Sequence, residues 1–250
     1  SPSFVKTLIE THNLKDTTIY EPFAGTGTTI FACDNKKLSC WYSEINPLLR
    51  FLISTKISVQ SLSIPQRNLL AENFLKAYKS ICLSKIDVAL KKNYHNVFGK
   101  SKYFEDDTFN KILQYSQAIK QEQDSLIRNL LSIAVASILV PVSLLKKQGD
   151  LRFKTPKELA TEQKSIEEVL PAKVNEIYED ILNFEYLLNV PHCCCTPNAK
   201  KVGEADCPEF GAVITSPPYL NGTNYIRNTK LELWFLGYLK SEEDMRFLRD

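Results

Sequence analysis

The sequence predicts an α/β fold carrying a large helical insertion, and three observations carry that prediction. The opening of the chain alternates strand-like and helix-like segments about a glycine turn. The stretch from 59 to 190 is patterned at helical spacing and is almost free of glycine, and strand character returns between His192 and Thr215. The predicted organisation is therefore one α/β domain built from 1–58 and 191–250, with 59–190 inserted into it.

A helix-like segment around Phe4, Val5, Leu8 and Ile9 comes first. Thr17, Thr18, Ile19 and Tyr20 are β-branched and aromatic types that suit a pleated strand, and the turn Gly25-Thr26-Gly27 follows. Thr28 to Cys33 starts a helix, and Leu38 to Glu44, which holds Trp41 and Tyr42, makes a second strand ending in an acid. In the insertion, Leu70, Phe74, Tyr78 and Ile81 mark one helix and Phe109, Ile112 and Leu113 another. Val174, Ile177, Tyr178, Ile181 and Leu182 recur at one-face helical spacing. Gly149 to Lys157, with Arg152, Lys154 and Lys157, reads as a basic loop. The apolar run Leu130 to Leu145 is broken by Ser132, Ser137, Pro141 and Ser143. It falls short of the ~18 to 20 residues that span a bilayer, so a buried helix and no membrane partner are expected. Strands are expected at His192–Thr196 and Gly211–Thr215, the second stopped by Pro217 and Pro218. Leu231, Leu233, Trp234, Leu236 and Tyr238 mark a last helix.

Composition narrows the class. Of 250 residues, 44% are hydrophobic and 24% charged, which excludes wholesale disorder, a collagen-like fibre and a disulfide miniprotein. The net charge is +2, so a nucleic acid would have to be met by local patches. Seven cysteines without a signal peptide read as reduced thiols, and a cytoplasmic location is expected. Cys193-Cys194-Cys195, near His192 and Cys207, reads as buried strand thiols rather than a metal site, because adjacent strand residues point to opposite faces. His95 reads as a solvated or capping loop histidine.

The first candidate site is Glu21-Pro22-Phe23-Ala24-Gly25-Thr26-Gly27-Thr28-Thr29, because glycines after a strand let the backbone approach a ligand. No lysine follows Gly27 until Lys36, which argues against a nucleoside triphosphate. Ile30 stands where a dinucleotide fingerprint wants its third glycine. An adenosine-type ligand without a pyrophosphate remains, with Glu44 placed to accept from ribose hydroxyls. The alternative for this motif alone is a tight turn beside a surface glutamate.

The second string, Thr215-Ser216-Pro217-Pro218-Tyr219, is more specific. Together with Glu21–Thr29 it resembles the amino-group DNA methyltransferases. The resemblance implies a Rossmann-like fold, S-adenosylmethionine as cofactor and double-stranded DNA as partner. It implies that Phe23, Ala24, Gly25, Thr26 and Gly27, flanked by Glu21 and Pro22, hold the methionine part of the cofactor and that Glu44 binds its ribose. Asn198 falls where many members carry an aspartate facing the adenine, and Ser1–Ile9 looks like the tail of a further cofactor motif. Ser216, Pro217, Pro218 and Tyr219 would be catalytic: Ser216 and the Pro217 carbonyl accept from the exocyclic amine, the prolines fix the loop, and Tyr219 stacks on an extruded base. A Ser rather than an Asn or Asp before Pro-Pro-Tyr points to cytosine N4, with adenine N6 as the alternative. A catalytically incompetent module that binds DNA or a partner is the alternative from another class. Members with this motif order read their target through the inserted region. Segment Asn221–Lys230 is a candidate to close over the base or to touch phosphate, or else a solvated loop. Little sequence follows Tyr219, and the chain lacks an initial methionine. The sheet is therefore expected to be incomplete, finished by the rest of a longer polypeptide or by a second chain.

Overall fold

The computed structural model describes residues 1–183, 188–217 and 225–247. In chain order the elements are α1 (Pro2–Thr11), β1 (Ile19–Glu21), α2 (Thr28–Asp34), β2 (Cys40–Tyr42), α3 (Pro47–Gln60), α4 (Ile64–Lys79), α5 (Val88–Phe98), α6 (Asp106–Ile119) and α7 (Ser125–Val142). There follow β3 (Leu145–Gln148), β4 (Asp150–Phe153), α8 (Pro156–Glu162), α9 (Ile166–Leu182), β5 (His192–Cys194), a 3-10 turn (Ala199–Glu204), β6 (Ala212–Val213), α10 (Tyr225–Asn228), α11 (Lys230–Phe235) and α12 (Glu242–Phe247). They form two units, Ser1–Ser61 with Glu185–Gly222 and Leu62–Phe184 with Thr223–Asp250.

The first unit is α/β, as the sequence predicts. Its strands are all parallel in the order β5-β2-β1-β6, with Ile19 opposite both Cys40 and Ala212 and Cys40 opposite His192. Ile19, Tyr20 and Glu21 are all buried, because a parallel sheet is covered on both faces and its inner strand shows no alternation. Val5 and Ile9 of α1, Ile30 and Cys33 of α2 and Ile53 of α3 build the core around it. From β1 the chain steps outward to β2 and β5, then returns to add β6 on the opposite side of β1. That reversal is a topological switch point, where crevices open at the carboxyl ends of strands.

A buried polar cluster fixes the return. The Asp34 carboxylate accepts from the Asn189 and Val190 N–H groups at 2.8 and 3.2 Å and meets His192 Nε2 at 3.1 Å. His192 Nδ1 accepts from the Cys40 N–H at 3.1 Å, so the ring proton sits on Nε2 and is donated to Asp34. Burial pushes the His192 pKa down and keeps the ring neutral. The Leu188 N–H donates to the Gln60 carbonyl at 3.1 Å, so the chain leaves and re-enters this unit at adjacent points.

The second unit is helical around α7, which packs against α4, α6, α9 and α11. Among the described residues α7 is the one helix long and apolar enough to cross a membrane. Half of it is buried within the unit, with Leu139 and Val142 fully enclosed. Three sequence expectations change here. Gly149–Lys157 is not a loop: Gly149, at φ +74°, turns the antiparallel hairpin β3–β4, and α8 follows. Of its basic residues, Arg152 pairs with Glu158 and Lys154 donates to the Ser143 carbonyl at 2.8 Å and to Gln163 at 3.0 Å. His95 lies on the exposed side of α5 rather than in a loop. Thr223–Asp250 groups with the helices instead of with the rest of 191–250. The reason is Trp234, fully buried, which donates Nε1–H to the Leu90 carbonyl at 3.0 Å and packs on Tyr94 and Phe109.

Candidate active site

Because the four strands of the sheet among the described residues run parallel, the segments that follow them emerge at one end of it. These are 22–27 after β1, 43–46 after β2, 195–198 after β5 and 214–217 after β6. The sequence-predicted residues in these segments are therefore gathered by topology. Pro218 and Tyr219 lie outside the described residues, as does the start of Asn221–Lys230.

The glycine loop is held from below. Ala24 N–H donates to the Ser43 carbonyl at 3.1 Å and Gly27 N–H to the Ala24 carbonyl at 2.9 Å. Gly25 has φ +57° and Gly27 φ +92°, both left-handed values that favour glycine. Their surroundings differ. A Cβ on Gly27 would stand 3.0 Å from the Phe31 ring and 3.2 Å from Ile53, whereas one on Gly25 would meet nothing within 4 Å. Gly27 thus serves close packing of α2 and α3, and Gly25 is the position with open space above it. Pro22 is half-buried, Ala24 is buried, and Phe23 and Thr26 are exposed. A recess of about 200 Å³ adjoins the loop, lined by Pro2 and Lys6 of α1, Thr26, Thr28 and Phe31, and Lys56 of α3. Lys56 Nζ also donates to the Thr26 carbonyl at 3.1 Å.

Two buried carboxylates frame the loop. Glu21 accepts from Phe23 N–H at 3.0 Å and from the Thr29 hydroxyl at 2.8 Å. Glu44 accepts from Gly25 N–H and from Asn46 N–H, both at 2.8 Å. Burial pushes both carboxyls upward, and these same donors hold them down. For Glu44 the nearby Arg50 charge adds to that, its Nη1 donating to the Glu44 and Ile45 carbonyls at 2.6 and 2.9 Å. A carboxylate offers about four lone-pair sites. Glu44 therefore keeps acceptor capacity after its two backbone bonds.

Asn198 caps the 3-10 turn, its Oδ1 accepting from Lys200 N–H at 3.0 Å. Ser216 and Pro217 are exposed just past Ile214, whose N–H donates to the Tyr20 carbonyl at 3.0 Å. The cysteine run is not buried as expected: Cys194 is exposed and Cys193 and Cys195 are half-buried, because β5 is an edge strand. Burial and a hydrogen bond with Cys207 push the Cys195 thiol up to about 12. Sequence reasoning did not single out Asn46 or Arg50. Arg50 carries a usable signal, since a cation in the first turn of a helix opposes the macrodipole unless another partner holds it.

Comparison with known proteins adds a direction. The chain is 26% identical over 278 residues to the type II methyltransferase M.BsoBI of Geobacillus stearothermophilus, a match that covers all of this chain and 52% of the relative. It is 27% identical over 260 residues to the type II methyltransferase M.AvaI of Nostoc sp. and of Anabaena variabilis, covering 92% of this chain and 50% of each relative. No protein-family model and no solved structure matches. The chain is thus similar to type II methyltransferases along nearly all of its own sequence, and it spans about half the length of the curated relatives it matches.

Proposed function

We propose that the protein is an S-adenosylmethionine-dependent DNA methyltransferase of the restriction-modification kind, with a Rossmann-like catalytic unit, acting on the exocyclic N4 amine of cytosine. The observation that carries this reading is the juxtaposition of the glycine loop and Ser216-Pro217 at the carboxyl ends of the adjacent strands β1 and β6. A methyl donor on the first and an acceptor amine at the second would meet across a topological switch point. The similarity to type II methyltransferases supports it independently.

The residues suit the cofactor. The open space above Gly25 gives a ligand access to backbone, and Glu44 retains lone pairs for ribose hydroxyls. Asn198, at the end of the neighbouring strand, is the candidate for the adenine. Bound S-adenosylmethionine supplies an electrophilic methyl group on a sulfonium. The protein's task is then to make a poor nucleophile, an amine conjugated to a base ring, attack it. Ser216 Oγ and the Pro217 carbonyl accept the amine hydrogens and turn its lone pair toward the methyl group. Pro217 and Pro218 restrict the loop, and Tyr219 stacks on the extruded base. The helical unit is the candidate for reading the DNA sequence, and a cytoplasmic location accords with that substrate.

The test is nucleoside mass spectrometry on DNA incubated with the complete protein and S-adenosylmethionine, alongside calorimetry of cofactor binding. N4-methylcytosine is the expected product. N6-methyladenine alone would move the target to adenine, and absence of both cofactor binding and product would leave a binding module.

A further inference from the structure

The hairpin β3–β4 and the segment that supports it concentrate positive charge. Segments 145–158 and 225–230 hold seven Lys and Arg against two acids, a net +5 where the whole chain has +2. The fold brings the two segments together. Asn228 of α10 accepts from the Leu151 N–H at 3.2 Å and donates to the Gly149 carbonyl at 3.1 Å, and the neighbouring Arg227 stands 3.8 Å from Asp150 beside the turn. At the open end of the hairpin, Lys230 Nζ lies 4.0 Å from the centre of the Tyr103 ring and donates to its hydroxyl at 2.9 Å. Phe153, 54% exposed, packs against the same ring.

The charges fall into two groups. Register puts Lys146 opposite Arg152, and Glu158 takes both, holding Arg152 through its two oxygens at 2.7 and 2.8 Å. Those two cations are spent inside the unit. Lys154 and Lys230, by contrast, are bonded to neutral oxygens, which orient them without cancelling their charge. Lys147 and Arg227 are exposed beside the turn. A surface of held cations with few acids suits a polyanion, because each cation that meets a phosphate releases a counterion.

We infer that the hairpin β3–β4, with Arg227 and Lys230 beside it, is the surface through which the helical unit grips the phosphates of duplex DNA. Lys147 and Arg227 touch the backbone from the turn, and Lys230 touches it from the aromatic end. Lys146 and Arg152 belong to the support. The inference rests on the DNA methyltransferase reading above and names the element that meets the substrate.

The test is binding of the complete protein to a mixed-sequence DNA duplex, followed by fluorescence anisotropy over a range of salt with no cofactor added. Each phosphate contact contributes about 0.9 to the slope of log K against log salt. Lys147→Gln, at an exposed side chain, should therefore lower the slope by about 1, and Lys147→Gln with Arg227→Gln by about 2. The charge-keeping pair Lys147→Arg with Arg227→Lys should hold the wild-type slope. Lys76→Gln with Lys79→Gln, two exposed lysines of α4, should hold it too. An unchanged slope in the hairpin variants, an equal fall in the α4 variant, or a wild-type protein that binds no duplex at low salt would overturn the inference. If the slopes come out as expected and the protein still transfers no methyl group, the catalytic reading fails while the DNA-gripping surface stands.

Discussion

Gly25 and Gly27 lie two positions apart, yet a methyl group added to each should fail for different reasons. Gly27→Ala combines φ +92° with contacts at 3.0 and 3.2 Å. It should cost about 1 to 3 kcal/mol of stability, read by thermal or urea unfolding. Gly25→Ala meets no neighbour, so its left-handed φ should cost only ~1 kcal/mol, while affinity for S-adenosylmethionine drops. Unchanged cofactor affinity in Gly25→Ala would remove the loop from the site. Glu232 offers a pH test. One of its carboxylate oxygens is buried without a partner, and burial raises its pKa to about 7, with Lys147 pulling the other way. The folded state holds the proton that the unfolded chain releases near 4.5, so stability should fall as pH climbs from about 4.5 to about 7 and stay low above that. Glu232→Gln should flatten this slope and raise the melting midpoint at pH 8, and an unaltered slope would show that the carboxyl is hydrated. The left-handed glycines after β1 and the acid that follows β2 were legible in the sequence because backbone freedom and charge are properties of the residue itself. Glu232 and the Asp34–His192 pair were not, because burial and partnership arise only when distant segments meet.

At the scale of elements, long periodic helices and the first β-α-β unit were legible, and the hairpin β3–β4 was not. Leu145 and Leu151 are its only buried strand residues, too few to establish an alternation against Lys146, Lys147, Gln148, Asp150 and Arg152. Its support comes from far along the chain. The buried Asn228 accepts from Leu151 N–H at 3.2 Å and donates to the Gly149 carbonyl at 3.1 Å. Asn228→Ala would leave a buried N–H unsatisfied and should cost about 1 to 3 kcal/mol, with exchange of the Leu151 amide accelerated first. Protection equal to wild type would mean that the hairpin holds itself. The strands β5 and β6 are shorter than predicted for a related reason: sequence shows which residues suit a strand, whereas pairing stops where the neighbouring strand ends.

For the whole molecule, the cluster at Asp34 is what closes the sheet around the helical excursion. Asp34→Ala would strand the His192 ring and two backbone N–H groups, and should cost roughly 3 kcal/mol or more. Strand β5 should detach, read as faster exchange at Cys193 and Cys195; intact protection there would locate the closure elsewhere. The same layout has a consequence in time. Cys40 and the His192 that receives its N–H are 152 positions apart in sequence, and β6 comes later still. On a ribosome that makes about 5 to 20 residues per second, β1 and β2 must wait many seconds as a two-stranded ribbon, a form that is marginal in water. Helices α4 to α9, rich in local contacts, can mature during that interval. Strands that precede the helices in the chain thus fold after them, and the nascent Ile19–Glu21 and Cys40–Tyr42 are the segments most in need of a chaperone's cover.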